Sequence, residues 1–450
     1  MLSKIVTLLL ILPNILLAQH SIKGVFSPAK NYEVVLLYKV TPTVSEYIKN
    51  TEINNDGSFQ IQLEASAEAG IYRIVYAVPQ EDYNFDVIYN AKEDIELAFN
   101  AETGVTFKTS SENKLLASYT KSMSMVTQSI TNYYRGNKKD TTALNTIFKT
   151  QRETQARYEK QATNTIALQF IKANKPYIPK KYEDVKTYIN HLKTRYFDNI
   201  DFNNKTLQSS SFLEERMNNY IFGMTAEGKD KIANYKANID AFCMAMKSAP
   251  ATVKRILLVS LWQQMRDLEL PAVANYIATT YLIDIAKSLK DTTLVNDLTR
   301  YKNLSIGNKA PDFYIDGIKG KTKITKKLSE LNTAKHYIIV FWSSTCSHCL
   351  NDIPKLETYL ETKKAGSIEV VAIGLEDDDK IWKEKIKSFP NFIHMLGLGK
   401  WSNSIGDDYG VELTPAYFVL DKDKKIVAKP FDTEALKAFF DKNELLQVPK

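Results

Sequence analysis

The spacing of apolar residues changes twice along this chain, and these changes constrain its fold more than any other feature. Residues 20–110 contain short runs rich in β-branched and aromatic side chains, separated by turn signals such as residues 54–57, Asn-Asn-Asp-Gly. This pattern is typical of antiparallel strands joined by hairpins, and it predicts a β-sandwich. In residues 112–301 the apolar residues recur at helical spacing, and prolines such as Pro250 separate the runs.

The third region, which begins at Ser305, is expected to form an α/β domain. Residues 337–342 and 368–375 are apolar almost throughout, and a helical pattern follows each of them. Continuous apolar strands between helices indicate a sheet that is covered on both faces. The sequence therefore predicts a multidomain protein. It has an N-terminal antiparallel β-sandwich over residues 19–110, a central all-α region over 111–303 and a C-terminal α/β domain over 304–450.

Composition excludes several classes of protein. The 450 residues are 44% hydrophobic and 25% charged, which is ordinary for a globular protein and not for a disordered, collagen-like or coiled-coil chain. Three cysteines are too few to form the disulfide scaffold of a small secreted protein. The net charge of +7 is spread along the chain without a long basic run, so we expect no nucleic-acid partner.

The first 18 residues have the pattern of a secretion signal. Lys4 precedes an apolar run over residues 5–17, and Ala18 supplies a small residue before the polar pair that follows. The alternative is an uncleaved membrane anchor, although the run is shorter than the roughly 20 residues that a spanning helix needs. The sequence therefore predicts a signal peptide over residues 1–18 and an exported, periplasmic protein, or one anchored by this segment and facing the periplasm.

Most of the chemical information lies in Cys346-Ser347-His348-Cys349, where a predicted strand leads into a predicted helix. Unpaired amides and the helix dipole stabilise an anion at a helix N-terminus, so Cys346 is expected to be an attacking thiolate. Cys349, one turn further along, is placed to resolve a mixed disulfide. A zinc site is not expected, because there is no second Cys-x-x-Cys and the five histidines are scattered.

Residues 306–444 resemble the thioredoxin superfamily, and within it the exported reductases of the TlpA and ResA type. The resemblance depends on the stretch from Gly307 to Phe313, the aromatic pair Phe341-Trp342, Pro354 within the helix and Thr414-Pro415 before a later strand. It implies a thioredoxin-like fold and a thiol–disulfide oxidoreductase that acts on protein cysteines. It implies no bound cofactor, and a membrane donor for the electrons. Residues 19–303 resemble, with few matching residues, the β-domain and helical region that precede such domains in Bacteroidetes-type bacteria.

The resemblance also assigns site residues. Pro415 is expected to be cis, which leaves the Thr414 backbone free to pair with a substrate peptide, and Trp342 and Thr345 join this predicted substrate-binding set. Thr345 stands where the family usually has tryptophan. Asp352 stands where ResA-type enzymes have glutamate, and it is predicted to handle the proton of Cys349; the alternative is an exposed helix carboxylate.

His348 is predicted to favour the Cys346 thiolate and so to make the couple more oxidising. The alternative is a solvated histidine with little effect. Two other functions stay open at this stage. One is a peroxiredoxin-type thiol peroxidase, although Ile339 occupies its proline position. The other is a binding module in which the redox domain is accessory. The oligomeric state, the substrate and the direction of exchange are not specified by the sequence.

Overall fold

The computed structural model describes residues 20–80, 82–136, 140–224, 228 and 230–446. The predicted signal peptide lies outside the described residues. In the parts of the chain that are described, no helix combines the length and apolarity needed to cross a bilayer.

Residues 21–107 form two four-stranded sheets that face each other. One sheet has the order β4-β1-β7-β8 and the other β3-β2-β5-β6. A single apolar cluster draws on both sheets, with Phe26 and Leu97 from the first and Leu37 and Ile74 from the second, so this region is a sandwich. The strands are β1 Ser21–Ser27, β2 Val34–Val40, β3 Ser45–Glu52, β4 Ser58–Gln62, β5 Gly70–Val75, β6 Asn84–Tyr89, β7 Ile95–Asn100 and β8 Gly104–Phe107.

The prediction of a purely antiparallel sandwich is wrong in one respect. β1 pairs antiparallel with β4 on one side but parallel with β7 on the other, so the first sheet is mixed. The predicted turn at residues 54–57 is present, since the Gly57 amide donates to Asn54 O at 2.8 Å and Gly57 has a φ of 84°. It does not close a hairpin, because it joins β3 to β4 and these two strands lie in different sheets. The turn residues before β4 can be recognised from the sequence. The parallel β1–β7 pairing cannot, because it joins residues that are distant in sequence.

The middle of the chain is helical, as predicted. Aspartates cap several of these helices, since a side-chain oxygen accepts a backbone amide of the first turn at Asp140, Asp184, Asp230 and Asp291. The helices are α1 Ser111–Arg135, α2 Thr141–Gln161, α3 Ala167–Ala173, α4 Val185–Thr194, α5 Lys205–Gln208, α6 Phe212–Gly223, α7 Lys231–Ala245, α8 Ala251–Asp267, α9 Pro271–Ile277, α10 Ile283–Ser288 and α11 Thr292–Asn303. A π-helical turn, Ala278–Leu282, lies between α9 and α10.

The chain divides into two compact units, Met1–Gln264 and Met265–Lys450. In the second unit, α11 packs against the α/β part: Leu304 joins an apolar cluster of the sheet, and Asn308 Nδ2 donates to Lys302 O at 2.6 Å. The four-part division of the sequence analysis stays a prediction.

The C-terminal part is one seven-stranded sheet with helices on both faces. Its order is β10-β9-β13-β12-β11-β14-β15, and β11, β12 and β13 are parallel to one another. The elements are β9 Tyr314–Lys319, β10 Thr322–Lys327, β11 His336–Trp342, α12 Ser347–Glu361, β12 Ile368–Glu376, α13 Lys380–Lys385, β13 Ile393–Leu398, α14 Ser404–Asp408, β14 Ala416–Asp421, β15 Ile426–Ala428 and α15 Thr433–Leu446. Single 3₁₀ turns lie at Ala29–Asn31, Leu328–Glu330, Ile386–Ser388 and Lys400–Ser402.

β11 lies inside this sheet and is buried on both faces, as its apolar sequence predicts. Tyr337, Ile339 and Phe341 belong to one core cluster, while Val340 and Trp342 belong to the other. Alternate residues of a strand point to opposite faces, so each face receives a row of large side chains. This double burial fixes the end of β11, from which the candidate site projects.

Candidate active site

Cys346 and Cys349 lie where β11 passes into α12. The connection between β11 and α12 is a tight turn, in which the Cys346 amide donates to Ser343 O at 3.2 Å. Cys346 is the N-cap of α12, and its sulfur accepts the Cys349 amide at 3.3 Å. Both cysteines are free thiols, and Cys349 is fully buried. The sequence therefore places one reachable thiol and one enclosed thiol on the first turn of a helix.

The surroundings separate the acidities of the two thiols. Partial burial acts to raise the pKa of Cys346, but hydrogen bonds from the Cys349 thiol and from the amides of Cys349 and His348 outweigh it, and this pKa lies below the ordinary 9.0. Burial, followed by the hydrogen bond to Cys346, raises the pKa of Cys349 to about 12. Cys346 therefore ionises at a lower pH than Cys349, and Cys349 keeps its proton at neutral pH.

This difference predicts an alkylation profile. The rate at which iodoacetamide modifies Cys346 is expected to rise with pH and to have its midpoint below pH 9.0, because only the thiolate reacts and the pKa is lowered. Peptide mapping at each pH measures which residue is modified. Cys349 is expected to stay unmodified until strongly alkaline pH, and Cys346→Ser is the control. Modification of Cys349 before Cys346 would contradict the assignment.

The loop of Thr414 and Pro415 faces the cysteines. The Thr414–Pro415 peptide bond is cis, as the resemblance implied. The Cys346 thiol donates to Thr414 O at 3.4 Å, and both loop residues are half-buried at the rim of the site. Thr345, which precedes Cys346, is exposed. The structure thus brings Thr345, Thr414 and Pro415 together around the reachable thiol.

Trp342 does not join this surface. It is 1% exposed and meets Phe389 edge to face, with 6.0 Å between ring centroids, inside the core cluster of that face. The predicted contact of Trp342 with substrate is therefore not supported. Trp342 lies on the same face of β11 as Val340, and this face is covered by the core cluster, so the side chain does not reach solvent.

Asp352 is enclosed, with 8% of its surface exposed, and is not the solvated carboxylate of the alternative interpretation. Its Oδ2 accepts the Tyr417 hydroxyl at 2.7 Å and the Thr433 amide and hydroxyl, each at 3.0 Å. Lys355 Nζ lies 3.8 Å from Oδ1. Asp352 follows Cys349 by three residues on α12, so the two side chains share one face of the helix.

The imidazole of His348 is exposed. The contact of this residue with the Cys346 sulfur is through its backbone amide. Cys243, the third cysteine, lies in α7 and is half-buried; burial raises its pKa to about 12, which makes it a poor nucleophile at neutral pH. No cluster of potential metal ligands occurs among the residues that the structure describes.

Glu376 is a residue of the site that the sequence reasoning missed. It ends β12, is 5% exposed, and accepts the Ser344 amide at one oxygen and the Ser343 hydroxyl, at 3.4 Å, at the other. It therefore holds the loop that leads into Cys346. The sequence contains a signal for this residue, because an acidic residue directly follows the apolar run of β12. Since parallel strands end at the same edge of a sheet, this residue is expected near the end of β11.

Comparison with known proteins gives matches of limited extent. The family described as Redoxin matches residues 305–437. The thiol-disulfide oxidoreductase ResA of Bacillus thuringiensis (strain Al Hakam) is 28% identical over 132 residues, which are 28% of this chain and 69% of that protein. The same oxidoreductase from Geobacillus thermodenitrificans is 22% identical over 162 residues, 35% of this chain and 90% of that protein.

Solved structures also match about a third of the chain. The C-terminal domain of a putative thiol-disulfide oxidoreductase from Bacteroides thetaiotaomicron is 29% identical, over 31% of this chain and 96% of that one, with a TM-score of 0.28. A domain of a possible thiol-disulfide isomerase from Cytophaga hutchinsonii is 31% identical, over 31% and 93%, with a TM-score of 0.27. At these TM-scores the fold assignment rests on the sheet order and the family match.

Proposed function

Since the protein is a thiol–disulfide oxidoreductase with a C-terminal thioredoxin-like domain of the TlpA/ResA type, we propose that Cys346 and Cys349 are its redox couple and that it acts on protein cysteines outside the cytoplasm. The observation that carries the proposal is the unequal pair of thiols at the start of α12. One is half-exposed with a lowered pKa, and the other is buried with a pKa of about 12.

In the first step the Cys346 thiolate attacks one sulfur of a substrate disulfide. The substrate S–S bond breaks, a mixed disulfide forms at Cys346, and the departing thiolate takes a proton from solvent. The exposed Thr345 and the half-buried Thr414 and Pro415 line the approach to this sulfur. We assign these three residues to substrate contact, since a polypeptide reaching Cys346 passes over them.

In the second step Cys349 resolves the mixed disulfide. Its thiol gives up a proton, its sulfur attacks Cys346 Sγ, the Cys346–Cys349 bond forms, and the second substrate thiol leaves with a proton. The substrate gains two electrons and the protein loses two. With a pKa of about 12 the Cys349 thiol needs a base at neutral pH, and Asp352 is the buried carboxylate one helical turn away.

A further turnover requires reduction of the Cys346–Cys349 disulfide by a dithiol donor. We propose that this donor is membrane-bound and that the protein is exported. The charge and hydropathy of residues 1–18 support export. Fractionation of cells that express the chain with and without residues 1–18 tests the location: export only with this segment is expected, and retention of both forms in the cytoplasm would contradict it.

Trapping with Cys349→Ser tests the redox couple. The variant keeps the attacking thiolate but cannot resolve, so it is expected to accumulate protein adducts at Cys346 that a reductant releases. Non-reducing gels followed by mass spectrometry identify the linked cysteines. The double variant Cys346→Ser/Cys349→Ser is the matched control and should trap nothing. Equal trapping by both variants would show that the adducts form elsewhere, for example at Cys243.

Two variants of His348 separate its side chain from its amide. His348→Ala removes the imidazole alone, whereas His348→Pro also removes the amide that contacts the Cys346 sulfur. We expect both to be less oxidising than the native protein if the imidazole favours the thiolate as predicted, and His348→Pro more so, because it also loses the amide that contacts the sulfur. Equilibration with glutathione buffers measures the potential. A native-like potential in both variants would contradict the prediction.

A further inference from the structure

Tyr417 is a buried tyrosine whose hydroxyl contacts the side chains of Asp352 and Thr433. It is 2% exposed, and its ring belongs to the same core cluster as Cys349. It lies on β14, opposite Val340 of β11, two residues beyond the cis-proline. A tyrosine in a core strand costs free energy unless its hydroxyl is paired, so its partner indicates what the hydroxyl does there.

That partner is the carboxylate of Asp352. The Tyr417 hydroxyl donates to Oδ2 at 2.7 Å, the shortest of the three hydrogen bonds to this oxygen. Burial is the main cause that raises the pKa of the Tyr417 phenol, and Asp352 and Cys349 act in the same direction. The phenol therefore keeps its proton and remains a donor throughout the pH range of the reaction.

The other groups around Asp352 come from the helices α12 and α15. Thr433 supplies an amide and a hydroxyl from the start of α15, and Lys355 of α12 lies on the opposite oxygen at 3.8 Å and is half-exposed. The carboxylate of Asp432 is engaged with the Ala435 amide at 2.7 Å. Tyr417 is the donor that comes from the sheet, and its ring lies in the core cluster that also contains Cys349.

We propose that Tyr417 is a positioning residue that holds the Asp352 carboxylate where it accepts the proton of Cys349, an inference that rests on the redox couple proposed above. Tyr417 does not touch the reacting sulfurs. It acts through Asp352, in the way that buried hydrogen-bond partners hold a catalytic carboxylate in one orientation. Removal of its hydroxyl should slow the step that Cys349 performs and leave the attack by Cys346 unchanged.

An aromatic disulfide, dithiobis(nitrobenzoate), separates the two steps because each releases a coloured thiolate. Attack by Cys346 releases the first equivalent, and attack by Cys349 on the mixed disulfide releases the second. Stopped-flow traces of the reduced full-length protein, in a Cys243→Ser background, give both rates over a range of pH. The variant is Tyr417→Phe. The matched control is Tyr409→Phe, which removes the hydroxyl of another buried tyrosine, directly after α14, that donates to Pro311 O at 2.8 Å.

In Tyr417→Phe we expect a native first release and a second release slowed about tenfold near neutral pH, a fraction of the effect of a general base. The deficit should shrink as pH rises toward about 12, where Cys349 ionises without help. Tyr409→Phe should behave as native in both phases. A native second release in Tyr417→Phe, or equal slowing in both tyrosine variants, would overturn the role of Tyr417 alone. A native protein that gives no second release would overturn the redox couple itself.

Discussion

Replacement of Cys346 by serine is expected to reduce disulfide exchange to the uncatalysed rate. The serine hydroxyl is not ionised at neutral pH and cannot form the mixed disulfide, whereas the thiol it replaces has a pKa lowered by the amides of α12 and by Cys349. Reduction of insulin disulfides in the presence of a dithiol measures the loss. The fold should be retained, because the hydroxyl can accept the Cys349 amide as the sulfur does.

Cys243→Ser is the control for this experiment. Cys243 is a half-buried thiol with a pKa of about 12, far from the chemistry in sequence, and its replacement should leave the rate unchanged. Loss of activity in Cys243→Ser together with full activity in Cys346→Ser would refute the proposed couple. Comparison of the two variants thus tests which of the free thiols carries the reaction.

Asp352→Asn is expected to slow resolution of the mixed disulfide by about 10²–10⁴-fold at neutral pH, the range attributed to a general base. Asparagine has nearly the shape of aspartate, and its oxygen can still accept the Tyr417 and Thr433 donors, but it cannot take a proton. The second release in the stopped-flow experiment measures this step. Without the base, only the spontaneously ionised Cys349 reacts.

The loss of rate in Asp352→Asn is expected to depend on pH. Cys349 has a pKa of about 12, so its thiolate fraction in the Asn variant should rise tenfold per pH unit below that value. The ratio of native to variant rates should therefore fall as pH rises from neutral toward about 12. Glu357→Gln, also on α12 and also 8% exposed, is the matched control. The same pH profile in the native protein and Asp352→Asn would show that Asp352 is structural.

The site elements that the sequence predicted are the ones encoded by local pattern. The apolar run of β11, the turn, the cysteine at the helix start and the proline before β14 all lie close to their own signals. The carboxylates and hydroxyls that complete the site come from elsewhere. Glu376 and Tyr417 lie on other strands of the sheet, and hydrophobic spacing cannot show which side chain meets which loop.

Two of the strands that the sequence did not predict, β3 and β10, share a physical cause. β3 is exposed along nearly all of its length, and β10, Thr322–Lys327, is rich in lysine, so neither shows apolar alternation. Both lie at the edge of a sheet, where charged side chains are tolerated and discourage pairing with other chains. The parallel β1–β7 pairing was missed for a different reason, because it depends on long-range register and not on composition.

The contact between the Cys346 thiol and the Thr414 carbonyl couples chemistry to recognition. In the reduced, protonated state this carbonyl oxygen accepts the thiol hydrogen at 3.4 Å. When Cys346 loses that proton the carbonyl has no donor there and can accept a backbone amide of the incoming polypeptide. The event that creates the nucleophile therefore also opens a docking position beside it. Substrate affinity should consequently rise as Cys346 loses its proton, so that the protein binds a substrate peptide best when its thiolate is ready to react.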